Sequence, residues 1–214
     1  MEEAYSSAIA KEDVGIMQRN LVNFEITSAV LKVLFPSTAE SLDFGAGHGI
    51  FVRLMRDNGF NFCWSDLYAH NQYARGFEGS LNGTYQFLTA FEVLEHLPNP
   101  MTDLDVMMGV ADNVLVTTCL VPDPPPKIHE WWYYVPETGQ HISFFTKDTL
   151  CIIANKFNRH LLSSGSYHLF SKKPTNAALY RLVTRLRIAR TLNAVIKRPS
   201  LIDTDFARMK QIKR

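Results

Sequence analysis

The sequence predicts an α/β fold with a mostly parallel central sheet, and three stretches of the chain carry this prediction. Over residues 41–58, a short apolar run, a glycine-rich turn and a helical pattern follow one another, which is typical of a strand, a tight turn and a helix. A second strand-like segment then ends at Asp66. Residues 113–120 form a near-continuous apolar run, as expected for a strand that is buried on both faces.

The glycines of the first turn predict a ligand site. Gly45, Gly47 and Gly49 alternate between the strand and the helix, where the backbone has to turn sharply and approach a bound molecule. Asp66 lies about twenty residues past the first glycine, where an acidic residue of a nucleotide-binding βαβ unit accepts hydrogen bonds from ribose hydroxyls. Asp43 comes two residues before that glycine. The alternative interpretation is a glycine-rich turn that holds no ligand.

The remaining elements follow from periodicity and from turn residues. Residues 67–83 are too few for a full helix and strand, so we expect a short or irregular third βα unit before a strand over 85–90. The spacing predicts helices over 102–111 and 147–157. A hairpin over 160–171, with a glycine at its turn, is expected to close the sheet with antiparallel strands.

Length and cysteine content bound the class of protein. The chain of 214 residues is long enough for one sizeable α/β domain and an appendage. Its three cysteines are not in metal-type spacing, which favours reduced thiols in a reducing compartment. We see no signal-peptide pattern and no apolar run long enough to span a bilayer, so we expect a cytoplasmic protein.

Charge divides the chain into two parts. Residues 171–214 contain twelve Lys or Arg and two Asp, a net charge of +10, which leaves a net charge of −9 for residues 1–170. We therefore predict a catalytic domain over 1–170, with a cover helix over about 20–35, and a basic helical tail over 171–214.

The tail carries an apolar helical face that has to be covered. Its members are spaced three or four residues apart, and they are Leu179, Leu182, Leu186, Ala189 and Leu192. This helix could pack on the acidic body, pair with a second subunit in a homodimer or join a larger complex, or lie on the inner face of an anionic membrane. No aromatic interleaving accompanies the basic residues, so we expect no nucleic-acid partner.

A group of polar residues follows the predicted strand over 85–90. Glu92, Glu95 and His96 lie at helical spacing within TAFEVLEHLPNP, and they could bind a metal, contact a cofactor or substrate, or form a polar helix end. No His-x-x-x-His or other metal-type spacing is present, so no metal site is predicted. Ligands of open α/β sheets bind at the carboxyl ends of strands, which favours a ligand contact for Phe91 and Glu92.

An aromatic loop comes after the proline-rich segment VPDPPP. Trp131, Trp132, Tyr133 and Tyr134 are consecutive, and neighbours in an extended segment point in opposite directions, so all four cannot easily be core residues. Trp and Tyr rings stack on sugars and other planar groups. We interpret these four residues, with Gln140, as the wall of an acceptor site; the alternative is a plug over the top of the sheet.

His141 is the predicted general base. It lies between the end of the strand over 113–120 and the start of the next helix, which is the ligand edge of such a sheet. A histidine is a suitable proton acceptor for a hydroxyl group that acts as a nucleophile near neutral pH. Glu130, Tyr134 and His96 are second choices. The alternative is a histidine that only hydrogen-bonds the loop to itself.

With these motifs in place, the chain resembles a known family. LDFGAGHGIFVRLMRDNGF, TAFEVLEHLPNP and EWWYYVPETGQHISFFTKDTL are similar to segments of bacterial class I S-adenosylmethionine-dependent methyltransferases of the UbiE/UbiG-like type, often associated with capsule or surface-polysaccharide gene clusters. The resemblance covers roughly residues 20–170 and implies a Rossmann-like fold. It also implies a cofactor site for S-adenosylmethionine, whose residues would be Asp43, Gly45, Ala46, Gly47, Gly49, Asp66, Leu67, Phe91 and Glu92.

The resemblance and the aromatic loop together suggest the acceptor. We expect O-methylation of a sugar, a sugar nucleotide or a surface-glycan intermediate, with S-adenosylhomocysteine as the second product. Two alternatives stay open. One is a methyltransferase for another small molecule with a nitrogen or oxygen acceptor, and the other is a non-catalytic cofactor-binding partner in a glycan-assembly complex.

Overall fold

Six strands form one sheet that is covered by helices on both faces. The computed structural model describes residues 14–137 and 139–212, and the element bounds below refer to these residues. The strands are β1 Ser41–Phe44, β2 Phe62–Ser65, β3 Tyr85–Phe91, β4 Ala111–Thr117, β5 His160–Ser164 and β6 Tyr167–Ser171. The α-helices are α1 Ile16–Leu34, α2 Ile50–Asp57, α3 Pro100–Val110, α4 Lys147–Lys156, α5 Ala177–Val183, α6 Leu186–Val195 and α7 Ile202–Ile212. Short 3₁₀ helices span Leu94–His96 and Trp132–Tyr134.

The strand order is β2-β1-β3-β4-β6-β5. Strands β2, β1, β3 and β4 run parallel, and the β5–β6 hairpin joins β4 in antiparallel orientation. The predicted α/β fold with a closing hairpin is therefore confirmed. Strand β2 lies on one side of β1 in the sheet, and β3 lies on the other side of β1. The direction in which successive strands are added to the sheet therefore reverses between β1 and β3. Ligands of open α/β sheets bind at the carboxyl ends of the strands beside such a reversal.

Buried apolar side chains form two layers, one on each face of the sheet. One layer joins the sheet to α1, α2, α5 and α6, and it includes Ile26, Val30, Phe51, Met55, Phe87, Leu115, Leu169, Tyr180 and Ala189. The other joins the sheet to α3 and α4, and it includes Leu42, Leu88, Leu104, Met107, Val114, Leu150, Ile153 and Phe170. Helix α2 follows β1 on the first face and α3 follows β3 on the second, which leaves the carboxyl edge of the sheet open between them.

The short third βα unit is confirmed. Residues 67–84 form turns and bends, and their extended part meets the sheet at one bridge between Trp64 and Glu78. The Trp64 N–H donates to the Phe77 carbonyl at 2.8 Å, and the Gly79 N–H donates to the Trp64 carbonyl at 2.7 Å. This segment protects the edge of β2, so an additional strand is not needed there.

The basic tail forms three helices rather than the one continuous helix that its apolar spacing predicts. The break lies at Thr184 and Arg185, and Arg185 takes an extended conformation before α6 begins. The Thr184 Oγ1 atom lies 2.9 Å from the Tyr180 carbonyl oxygen and 2.8 Å from the Ser164 hydroxyl oxygen, and its single hydrogen serves one of these contacts at a time. A threonine that bonds back to its own helix and to a neighbouring strand favours a bend at that position.

The tail packs on the body through α1 and α2. The Asn193 side chain of α6 donates to the Glu25 backbone carbonyl at 2.9 Å, and Lys32 donates to Asn193 at 2.9 Å. Asp205 of α7 accepts from Arg56 at 2.6 Å and from Arg53 at 2.8 Å. The buried ionic contact therefore joins an acid of the basic tail to arginines of the acidic body, which is the reverse of what net charge suggests.

Asp205 and Arg56 are both buried, with exposed fractions of 5% and 4%. Burial alone would raise the pKa of Asp205, but the hydrogen bonds and charges of Arg56 and Arg53 outweigh burial and hold the pKa below its ordinary value. Arg56 also donates to the Asn61 side chain at 2.6 Å and to the Phe62 carbonyl at 3.0 Å. The arginine thus ties the tail to the start of β2.

Among the described helices, none combines the length and apolar character that a membrane span requires.

We expect Asp205→Ala to lower the free energy of unfolding by about 3 kcal/mol, because it leaves the buried Arg56 guanidinium without its carboxylate partner. Urea denaturation near neutral pH measures this loss. A matched control is Asp203→Ala, which removes an exposed carboxylate from the same helical turn and should change stability by no more than about 0.5 kcal/mol.

The difference in the free energy of unfolding between wild type and Asp205→Ala should vanish in acid. A carboxyl whose pKa is lowered by folding stabilises the protein above its unfolded-state pKa, and this contribution is lost as the pH falls through the folded-state value. Equal stability of the two Ala variants at neutral pH would contradict the importance of the Asp205–Arg56 contact.

Candidate active site

The glycine turn after β1 has the left-handed backbone that its sequence predicts. Gly45, Gly47 and Gly49 have φ angles of 69°, 52° and 87°. The Gly45 and Ala46 N–H groups donate to the Ser65 carbonyl at 2.9 and 3.1 Å, which joins the turn to the end of β2. Helix α2 begins at Ile50 with Gly49 at its N-terminus, so no side chain caps the helix at that residue.

Space around the turn differs among the three glycines. A Cβ atom on Gly45 would lie 2.6 Å from a Val93 methyl group, and a Cβ atom on Gly49 would lie 2.9 Å from the Asn71 side-chain oxygen. A Cβ atom on Gly47 would meet nothing within 4 Å among the described residues. The backbone at Gly47 is therefore the part of the turn that a ligand can approach closely.

Asp66 holds the two loops of this edge together. One carboxylate oxygen accepts from the Gly47 N–H at 2.8 Å, and the other accepts from the N–H groups of Tyr68 and Ala69 at 2.8 and 2.7 Å. An ionised carboxylate has about four acceptor positions, so three protein contacts leave room for a ligand hydroxyl. Leu67 follows directly and is 84% exposed at the same edge.

Asp43 lies beneath the turn at the end of β1. Only 3% of it is exposed, and its carboxyl accepts from the Thr89 hydroxyl at 2.6 Å. The pKa of Asp43 is raised to about 8: burial is the main cause, the Thr89 hydrogen bond lowers the pKa, and the nearby charge of Asp66 makes a smaller raising contribution. The carboxyl thus supports the turn from inside the sheet.

Phe91 and Glu92 lie at the carboxyl end of β3. The Phe91 ring packs edge-on against Phe51, with ring centroids 5.0 Å apart. Glu92 is exposed and has a φ of 53°. Its N–H donates to the Thr117 hydroxyl at 2.9 Å, and its carboxylate accepts from the same hydroxyl at 2.9 Å. Glu92 therefore turns the chain out of the strand instead of joining the helical turn that its spacing suggests.

Glu95 is fully buried at the next turn, with no exposed surface. Its Oε1 atom accepts from the Tyr133 hydroxyl at 2.6 Å, and its backbone carbonyl accepts from the N–H groups of Ile142 and Ser143 at 2.8 and 3.0 Å. Burial, followed by the charge of Glu92, raises the pKa of Glu95 to about 8. Burial and the Glu95 charge also raise the pKa of Tyr133.

Two histidines lie beside this carboxyl. His96 and His141 meet edge to face with ring centroids 4.9 Å apart. The Nδ1 atom of His96 lies 3.0 Å from the Gln140 carbonyl, and that of His141 lies 2.6 Å from the Tyr133 carbonyl. Burial, with a smaller contribution from His141, lowers the pKa of His96 to about 4, so its ring is neutral at pH 7.

The aromatic loop separates into buried and exposed members. Tyr133 is 1% exposed and its ring packs on His141, so it is an interior residue rather than an open wall. Trp132 is 75% exposed. Trp131 packs edge-on against Tyr134, whose hydroxyl donates to the Pro126 carbonyl at 3.1 Å. Glu130 is exposed, and its Oε1 atom lies 3.8 Å from the Nζ atom of Lys127 within the loop.

The structure therefore brings together Glu95, His96, Tyr133 and His141, but it directs the Tyr134 and Glu130 side chains to contacts within their own loop. Sequence spacing favoured Phe91 and Glu92 over Glu95 as ligand contacts. It could not show the importance of Glu95, because the partners of Glu95 lie about forty positions away in the chain. The signal that could have found it is the Glu95–His96 pair itself, at the end of a parallel strand that faces the loop with His141.

The comparisons with known proteins agree with this geometry. Residues 17–164 match a family model described as a methyltransferase domain. No curated protein sequence matches the chain.

Solved structures share the fold at low sequence identity. Magnesium protoporphyrin IX methyltransferase from Synechocystis PCC 6803, with bound SAM, is 13% identical, with a TM-score of 0.50 over 79% of this chain and 86% of that one. An O-methyltransferase family protein from Burkholderia thailandensis is 13% identical, with a TM-score of 0.54 over 79% and 65% of the two chains. Human N-acetylserotonin methyltransferase in complex with SAM is 14% identical, with a TM-score of 0.55 over 81% and 59%.

The family model covers more than half of the chain, and the sheet order and glycine turn agree with it. The chain therefore belongs to the methyltransferase domain family, as a class I enzyme that uses S-adenosylmethionine.

Proposed function

We propose that the protein methylates a hydroxyl group of a sugar, a sugar nucleotide or a surface-glycan intermediate. The observation that carries this proposal is the position of the Glu95, His96 and His141 cluster at the carboxyl edge of the sheet, with Trp132 75% exposed on the adjoining loop. An exposed indole ring stacks on the apolar face of a sugar. The resemblance to UbiE/UbiG-like enzymes of polysaccharide gene clusters supports the same acceptor.

Residues of the glycine turn are assigned to the cofactor. The free space at Gly47 admits a close ligand, and Asp66 keeps an acceptor position for ribose hydroxyls. Leu67 and Tyr68, which are 84% and 62% exposed, offer apolar surface for the adenine ring beside Asp66.

The charge of this edge suits a cationic cofactor. Asp66 and Glu92 are the acids that supply it, whereas Asp43 and Glu95, whose pKa values are raised to about 8 mainly by burial, are largely uncharged at pH 7. S-adenosylmethionine supplies a methyl group activated by a positively charged sulfur. Carboxyl groups near that charge stabilise it, and the Phe91 ring offers a further favourable face.

Methyl transfer to a hydroxyl needs alignment and loss of a proton. The acceptor oxygen forms a bond to the methyl carbon as the carbon–sulfur bond breaks, and the electrons of that bond pass to sulfur. His141 holds its Nδ1 on the Tyr133 carbonyl, which leaves the lone pair on Nε2 when Nδ1 carries the proton. We assign the hydroxyl proton to His141 Nε2, while Trp132 and the loop orient the acceptor.

The alternative enzymatic activity is methylation of another small molecule at a nitrogen or an oxygen atom. An amine that is already neutral does not need a base, so its methylation would depend weakly on His141. Formation of S-adenosylhomocysteine with a panel of sugar nucleotides and with simple amines separates the two acceptors.

We expect Asp66→Ala to weaken S-adenosylmethionine binding by about 1–3 kcal/mol, because charge-assisted hydrogen bonds to the ribose are lost. Calorimetric titration measures the change. Asp112→Ala is the matched control, since Asp112 pairs with Lys172 at the opposite edge of the sheet. Equal affinity of wild type and Asp66→Ala would contradict the cofactor assignment.

We expect His141→Asn to lower kcat for a sugar acceptor by about 100-fold or more while cofactor affinity stays within about twofold of wild type. The Asn side chain retains a donor for the Tyr133 carbonyl and removes the ring Nε2 atom. His160→Asn, an exposed histidine at the start of β5, serves as the control. Unchanged turnover in His141→Asn would exclude His141 from proton transfer.

A further inference from the structure

We propose that Glu95, His96 and His141 bind a divalent transition-metal ion. Each residue offers one ligand atom, and the three atoms lie within 4.8 Å of one another. Ligand atoms held about 2.0–2.2 Å from one ion in tetrahedral geometry lie about 3.3–3.6 Å apart, so a pair at the 4.8 Å limit has to close by about 1.2–1.5 Å when the ion binds. The proposal goes beyond the transferase activity, which needs no metal for cofactor binding.

Glu95 is the second observation that points to an ion. It has no exposed surface, and its Oε1 atom accepts from Tyr133, whereas its Oε2 atom has no hydrogen-bond partner among the described residues. A buried carboxylate oxygen without a partner is costly, and a cation is the partner that suits it best. The nearby charge of Glu92 increases the demand for positive charge at this position.

Both histidines are held in the manner of metal ligands. Each Nδ1 atom meets a backbone carbonyl, from Gln140 at 3.0 Å and from Tyr133 at 2.6 Å. Donation from Nδ1 fixes the tautomer that carries the ligating lone pair on Nε2, and it orients the ring.

The backbone builds the cluster from two distant segments. Glu95 and His96 lie on the 3₁₀ helix after β3, and His141 lies on the loop before α4. Two hydrogen bonds, from Ile142 and Ser143 to the Glu95 carbonyl, fix the relative position of these segments. The Ser143 hydroxyl adds a third by donating to the Leu97 carbonyl at 2.7 Å. The cluster is therefore anchored independently of any ion.

The ligand set selects the kind of ion. Two imidazoles and one carboxylate suit zinc or manganese and related transition ions, whereas magnesium prefers oxygen ligands alone. Three protein ligands leave coordination positions open for water or for an acceptor hydroxyl.

The use of the ion in catalysis rests on the proposed function. A hydroxyl bound to a divalent ion has a lower pKa, so its proton can pass to water as the oxygen attacks the methyl group. In that state the His141 lone pair coordinates the ion, and the ion takes over the activating role otherwise assigned to the imidazole.

Direct binding measurements test the site without reference to methylation. The full chain, prepared without a histidine tag and stripped with a chelator, is titrated by calorimetry with Zn²⁺, Mn²⁺ and Mg²⁺. We expect one Zn²⁺ or Mn²⁺ per chain, with Mg²⁺ bound about tenfold more weakly or worse. Glu95→Gln, which keeps an acceptor for Tyr133, and His141→Asn should each weaken transition-metal binding by about 10–100-fold or more. His160→Asn should bind as wild type does.

Two outcomes would overturn the proposal. One is the absence of stoichiometric Zn²⁺ and Mn²⁺ binding in wild type, and the other is unchanged binding in both Glu95→Gln and His141→Asn. Cofactor affinity, measured on the same samples, reports that the variants are folded. Because ion binding and S-adenosylhomocysteine formation are separate readouts, ion binding without methylation of sugars would contradict the proposed acceptor and leave the ion site standing.

Discussion

The buried hydrogen bond between the Tyr133 hydroxyl and Glu95 is the contact on which the candidate site depends. It is 2.6 Å long, and it links the aromatic loop to the turn after β3 inside the protein. The Glu95 backbone carbonyl reinforces the link by accepting from Ile142 and Ser143. These hydrogen bonds attach the long loop between β4 and α4 to the carboxyl edge of the sheet. His141 and Trp132 take their positions from this attachment.

In the proposed function, cofactor binding and acceptor activation are assigned to two parts of the carboxyl edge of the sheet. Asp43 and Asp66 lie around the glycine turn between β1 and β2, where the backbone is open at Gly47. Glu95 and the histidines lie beyond β3, toward β4 and the aromatic loop. The strand order reverses between β1 and β3, and ligands of open α/β sheets bind at the carboxyl ends of strands beside such a reversal. A methyl donor on one side and an acceptor on the other is the arrangement that an in-line transfer requires.

Much of this fold could be predicted because local patterns agree with it. The glycine turn, the buried strand β4 and the β5–β6 hairpin each carry their signal within about ten residues of sequence. The tail shows where local patterns stop being sufficient. Its apolar spacing continues through Thr184, yet the helix breaks there because the Thr184 hydroxyl bonds to Ser164 and back to Tyr180. That competition depends on a strand the helix meets only after folding.

The contacts that define the site could not be predicted for the same reason. Tyr133 belongs to a run of four aromatic residues, and the local sequence does not indicate which of the four is buried. Tyr133 is the buried one, and it contacts the Glu95 carboxyl, 38 positions earlier in the chain. The Arg56–Asp205 contact joins residues 149 positions apart and opposes the net charges of the two segments. Long-range pairs of this kind are fixed by packing of the whole chain and leave no periodicity to detect.

The orientation of Glu95 distinguishes two uses of the histidine cluster. In a catalytic triad a carboxylate accepts from the Nδ1–H of the base, and so orients and stabilises the charged imidazole. Here a backbone carbonyl takes that position for each histidine, and the carboxylate bonds to a tyrosine instead. A neutral carbonyl stabilises an imidazolium less than a carboxylate does, whereas it serves equally well to hold a neutral, ligating ring. The Glu95 Oε2 atom has no hydrogen-bond partner among the described residues, and the cation that we propose between Glu95 and the two rings would supply one.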